Sequence, residues 1–226
     1  MKTYTVIVSL LFVALVARAQ DLIPFSHIEA LHIKGNLEVV LTPGEQTGVI
    51  IEAGEDRKVK LIQEGDRLTV RHADLFRYKS YREFPVRVEV IYKDLEELSI
   101  AAGAHVSAEQ SIRNLRVDVK LRSGARAKLE LQTDKSDLDV GEGAMGTFTG
   151  HVRQLTGVAA TGGQLNAEEL ISDRCKMRAN TGGCARIQAR EYLDAAAHTG
   201  GAIYYSGKPT ELLLRDELGG TVANKG

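Results

Sequence analysis

The chain has 226 residues, with 29 Lys and Arg against 30 Asp and Glu and a formal net charge of −1. That balance excludes a nucleic-acid binder, which needs a basic surface to displace counterions; 26% charged and 43% hydrophobic residues exclude a disordered chain. Aromatics are only 5%, Trp is absent and Gly numbers 22, so a thin core of small side chains is expected.

The first residues read as a targeting segment. Met1 and Lys2 precede an apolar run from Val6 to Val16, and Ala17-Arg18-Ala19 places small residues at the two positions a signal peptidase reads. The run is shorter than the ~20 apolar residues a spanning helix needs. Cleavage is therefore expected after Ala19, giving a signal peptide over 1–19 and a mature chain over 20–226. No Cys stands at the cleavage point, so no lipid anchor is expected. Removal takes away Lys2 and Arg18 and leaves 27 basic side chains to 30 acidic. No second hydrophobic stretch approaches membrane-spanning length.

From Phe25 to Tyr92 the residues alternate at period two. Strands are expected at Leu37–Leu41, Val49–Ala53, Val59–Ile62, Arg67–Arg71 and Val86–Val90, separated by turn residues such as Pro43-Gly44 and Gly65-Asp66. The connection after the fourth of these is unusual. Residues 74–84 hold Phe76, Tyr78, Tyr81 and Phe84 among Arg77, Lys79 and Arg82, four of the ten Phe and Tyr that follow Ala19. Such a segment either projects rings that stack on sugars while its cations meet acidic groups, or caps an open sheet edge.

Beyond residue 95 a repeat appears. Gly103, Gly124, Gly143, Gly162, Gly182, Gly200 and Gly219 follow one another at 21, 19, 19, 20, 18 and 19 residues. Most are preceded by a small or polar residue and all are followed by Ala or Gly, as in Ser123-Gly124-Ala125 and Thr181-Gly182-Gly183. Near-even spacing of about 20 residues is the signature of a solenoid. The positions three and five residues to either side of each Gly are nearly all apolar or small, and those between them are polar. Each coil is thus two strands joined at a glycine corner, with alternate residues pointing inward. Asp216 and Asn224 break the pattern in the last coil, as a terminal cap does. Cys175 falls on an inward position and Cys184 on an outward one, so a disulfide between them is not assumed.

Phe25-Ser26-His27-Ile28-Glu29-Ala30, Gly35-Asn36-Leu37-Glu38-Val39, the lead Asp94-Leu95-Glu96-Glu97-Leu98-Ser99-Ile100 into Gly103, and the repeated corners together resemble the putative auto-transporter adhesin head GIN domain family, common in Bacteroidetes envelopes. The resemblance covers roughly residues 24–222. It implies a right-handed β-helix-like fold and an envelope or surface location, and it brings no catalytic residues with it.

One cluster could carry chemistry. Six residues before the corner Gly stand Glu97, Asp118 and Asp137, expected on consecutive coils with Asp139 beside them. Stacked carboxylates can bind Ca²⁺, or act as an acid/base pair when one pKa rises; otherwise they form a solvated face balanced by Arg116, Lys120 and Lys135. His27, His32, His72, His105, His151 and His198 share no metal-ligand spacing. No phosphate-binding loop and no patterned nucleophile with His and Asp partners is present.

The expected molecule is all-β, a right-handed β-helix-like solenoid of coils of about 20 residues with a strand-rich N-terminal region over 20–94 and repeat coils over 95–226. It is an exported, non-catalytic, adhesin-like binding or scaffold module contacting glycan or another envelope component. Neither metal nor cofactor is expected, and the location is the periplasm or cell surface of a Gram-negative bacterium. Open solenoid ends make a homo-oligomer an expectation too. The alternative is a polysaccharide-active β-helix enzyme using the stacked carboxylates.

Overall fold

The computed structural model describes residues 22–52, 54–73 and 85–225. The expected cleavage point and the connection over 74–84 lie outside them.

The described residues form these strands in chain order: β1 (Ile23–Pro24), β2 (Ala30–Lys34), β3 (Leu37–Pro43), β4 (Gly48–Ile51), β5 (Val59–Glu64), β6 (Arg67–His72), β7 (Val86–Tyr92), β8 (Glu97–Ala101), β9 (His105–Ala108), β10 (Ile112–Leu121), β11 (Arg126–Val140), β12 (Met145–Ala160), β13 (Gln164–Asn180), β14 (Cys184–His198), β15 (Ala202–Ser206), β16 (Glu211–Glu217) and β17 (Thr221–Asn224). The fold is all-β, a solenoid of about seven turns preceded by a curled mixed sheet. The expected N-terminal strands form within a few residues of their sequence-based limits.

The corner glycines stack as the repeat requires. The N–H of Gly124 donates to the carbonyl of Glu142, that of Gly143 to Thr161 and that of Gly162 to Thr181, at 3.1–3.2 Å. Each corner is also closed within itself, for example by Ala125 N–H to the Arg122 carbonyl at 3.1 Å and Gly183 N–H to Asn180 at 2.9 Å. Two successive residues have positive φ at every corner: Gly182 at 72° and, before it, Thr181 at 49°. This is the primed-turn geometry that supplies two left-handed residues in a row.

The inward positions fill the coil. Leu121, Val140, Ala159, Ala179 and Ala197 form one fully buried column in ladder register. Leu98, Val119, Leu138, Gly157, Met177 and Ala195 form another. Large residues match small neighbours: a Cβ at Gly157 would lie 2.2 Å from Met177 Cε, and one at Gly146 2.5 Å from the ring of Phe148. Uneven glycine spacing is absorbed away from the corners, where the β13–β14 register shifts between Ala167 and Ile171. Cys175 is buried, Cys184 is half-buried, and both are free.

The N-terminal region joins this stack out of sequence order. β8 pairs with β10 on one side and β2 on the other, and β2 pairs in turn with β6. On the second face β9 pairs with β11 and β3, and β3 with β7. The rung β6/β7 therefore lies beneath β2/β3, although it follows in the chain. β5 runs antiparallel to β6, and β4 antiparallel to β7, covering that end.

Candidate functional site

Two surfaces concentrate polar side chains among the described residues: the carboxylate ladder and a groove lined by β3, β4 and β7.

The ladder forms in the expected register. Glu97, Asp118 and Asp137 are direct partners on β8, β10 and β11, and Asp139 partners Lys120. Their side chains border a concavity of about 330 Å³. The acids are not free, however. Arg116 Nε donates to Asp118 Oδ1 at 2.9 Å and its Nη2 to Asp137 Oδ2 at 2.7 Å. Arg122 meets Asp139 and lies 3.9 Å from Glu142. Glu97 contacts His32 at 3.2 Å and Arg67 at 3.9 Å. The bond to Asp118, then the charges of Asp118 and Asp137, raise the pKa of the Arg116 guanidinium. Arg116 thus bridges the two carboxylates, and the ladder is charge-balanced by its own neighbours. Of the balancing cations expected, Arg116 takes that role; Lys120 and Lys135 make no ion pair among the described residues, and Arg122, which the sequence pattern did not single out, does.

Residues Phe76, Arg77, Tyr78, Lys79, Tyr81, Arg82 and Phe84 lie outside the described residues. The described strands on either side, β6 ending at His72 and β7 beginning at Val86, partner β2 and β3.

Strand periodicity alone does not reveal the second surface, a groove. It has a volume of about 350 Å³ and is lined by Glu38 and Val40 of β3, Ile50 of β4 with Glu52 after it, Arg87 and Glu89 of β7, and Glu109. Arg87 stands three residues beyond Phe84. These side chains alternate outward on strands that the sequence does reveal. What it hides is that β4, β7 and β3 are adjacent, because that adjacency depends on the non-sequential stacking. Within the groove Arg87 Nε donates to Glu38 Oε2 at 3.2 Å, and Thr42 Oγ1 donates to Glu89 at 2.8 Å. Glu52 and Glu109 are exposed. The result is an open trough of hydrogen-bond acceptors around two aliphatic side chains.

The histidines are dispersed. His27, His32, His151 and His198 each sit beside one carboxylate. Among the described residues no three His, Cys, Asp or Glu converge as a metal site would require.

Comparison with known proteins places this architecture. The chain aligns with a crystal structure of a putative adhesin from Bacteroides fragilis at a TM-score of 0.72 and 15% identity, covering 91% of this chain and 98% of that one. A putative adhesin from Parabacteroides distasonis aligns at 0.69 and 15%, covering 90% and 95%. A putative lipid binding protein from the same species aligns at 0.66 and 14%, covering 91% and 96%. No curated protein matches the chain. At these identities the structures share the fold. The family model described as "Putative auto-transporter adhesin, head GIN domain" matches residues 25–209, most of the chain, and the protein belongs to that family.

Proposed function

We propose that this protein is an exported, non-catalytic envelope or surface module that binds carbohydrate or another envelope component at its N-terminal end. The observation that carries the reading is the groove between β4, β7 and β3. Its carboxylates accept hydrogen bonds from hydroxyl groups, and Val40 and Ile50 offer an apolar patch for a sugar C–H face. The sequence between β6 and β7 holds Tyr78, Tyr81 and Arg82, residue types that stack on rings and meet acidic groups. Membership of an adhesin-named family supports a surface role. The buried columns fill the coils with side chains, which favours recognition at the surface over an enclosed lipid.

A glycan array combined with capture from envelope extract tests this. Binding is expected, weakened by at least about tenfold in Glu52→Gln/Glu109→Gln and in Tyr81→Ala at unchanged melting temperature. Absence of any carbohydrate or envelope partner, or binding indifferent to both changes, overturns it. The polysaccharide-active alternative rests on the stacked Asp118 and Asp137; glycan turnover abolished by Asp118→Asn would establish that reading in place of the first.

A further inference from the structure

The two ends of the solenoid are built differently. The N-terminal end is closed by β4 and β5, which run antiparallel to the rung beneath them, with β1 paired beyond β4. At the other end the ladder of β16 runs to β14 and that of β17 to β15, and no described coil lies beyond them. One row of backbone N–H and C=O groups on β16 thus faces outward along the solenoid axis, a template for another strand. The middle of this edge lacks the charges and prolines that usually protect one. Leu212, Leu213 and Leu214 stand in succession at 43%, 52% and 41% exposure, and Leu218 follows at 81%.

We infer that the β16 edge pairs with the β16 edge of a second copy of this chain, antiparallel, about a two-fold axis through Leu213. The side-chain pattern selects both the occupant and the register. Leu212 and Leu214 continue the inward columns, while Glu211, Leu213, Arg215 and Glu217 point outward. Antiparallel pairing must match inward with inward, which removes every register of odd offset. Centring on Leu214 sets Glu211 against Glu217 and Leu212 against Asp216. Centring on Leu212 sets Glu211 against Leu213. Centring on Leu213 sets Glu211 of each copy against Arg215 of the other, Leu212 against Leu214, and Leu213 against itself. Opposite charges and apolar pairs directly across two strands stabilise them, and like charges do the reverse. Arg215 already meets Asp194 on β14, so the new contact extends an existing charge row. A head-to-tail stack would have to seat this parallel edge on the antiparallel cap. The tail-to-tail contact is isologous and closes at two copies.

Sedimentation velocity and light scattering on the purified chain are expected to show a concentration-dependent dimer. Leu213→Lys puts two like charges on the axis and should raise the dimer Kd at least about tenfold, with the circular dichroism of the chain unchanged. Leu213→Cys on a Cys184→Ser background should give a disulfide-linked dimer under mild oxidation, because facing residues of an antiparallel pair lie within disulfide reach. Leu214→Cys on the same background should not. A monomer throughout the soluble range, a dimer unaffected by Leu213→Lys, or cross-linking through 214 in preference to 213 overturns the proposal.

Discussion

Tyr92 shows what a single atom does inside this fold. It ends β7 and is 3% exposed. Its hydroxyl is buried and finds no hydrogen-bond partner among the described residues, and burial pushes its pKa up to about 12. A buried polar group without a partner loses its hydration and gains little in return. Tyr92→Phe keeps the ring and deletes the orphan oxygen. Thermal and urea unfolding at pH 7 should show stability unchanged or raised by about 1 kcal/mol; a loss of that size would mean that the hydroxyl is bonded. The alkaline limb gives an independent reading. The folded-state pKa lies above the unfolded value near 10, so the folded state holds its proton longer and stability falls as pH rises from about 10 to about 12. The variant should lose part of that decline.

Among the elements, the corner shows what the sequence reveals and what it conceals. Seven glycines at near-even spacing make the coil legible, and the positions three and five residues away make its interior legible. Two things are not. One is that the residue before each glycine is also left-handed, including Thr161, Thr181 and Thr199 at φ 49–50°. A β-branched residue there costs roughly 1–2 kcal/mol, and nothing in its identity announces the cost being offset by hydrogen bonds to the next coil. The other is why the residue after each glycine changes from Ala104, Ala125 and Ala144 to Gly163, Gly183 and Gly201. The three alanines are fully buried. A Cβ at Gly183, however, would lie 2.1 Å from the carbonyl oxygen of Ala159. The column before the corner shrinks at the same coil, from Ile100, Leu121 and Val140 to Ala159, Ala179 and Ala197. Neighbouring glycines thus serve different needs. Gly182 has open space around its missing Cβ and needs only its left-handed backbone; Gly183 needs the space itself. Gly182→Ala should cost about 1 kcal/mol, and Gly183→Ala about 3 kcal/mol or more, because backbone must move. Chemical denaturation of the pair tests this, and equal costs would contradict it. The candidate groove was illegible for a related reason. Strand periodicity exposes Glu38, Ile50, Arg87 and Glu89 as outward residues, but their meeting depends on β6/β7 stacking beneath β2/β3, and pairing between distant strands leaves no local trace.

At the scale of the whole molecule the decisive property is that contacts are made between neighbouring coils. From β10 to β14 each long strand pairs in parallel with the one before and the one after. Such a stack behaves as a one-dimensional array whose stability is close to a sum over coils and their interfaces. A whole coil is then the unit that can be removed. Gly143 and Gly162 are 19 residues apart and occupy equivalent corners. Excising residues 144–162 joins Gly143 to Gly163 and sets β11 directly beneath β13. Every inward residue stays inward, and Ala127 and Leu129 meet Leu165 and Ala167 in place of Gly146 and Phe148. Excising only residues 144–153 removes about half a coil, leaves the next corner on the wrong side, and breaks the stack. The first protein should retain a β-rich circular dichroism spectrum and a single cooperative melting transition, at reduced temperature because one coil interface is gone. The second should not fold cooperatively. If both deletions behave alike, nearest-neighbour stacking is not what holds this chain together.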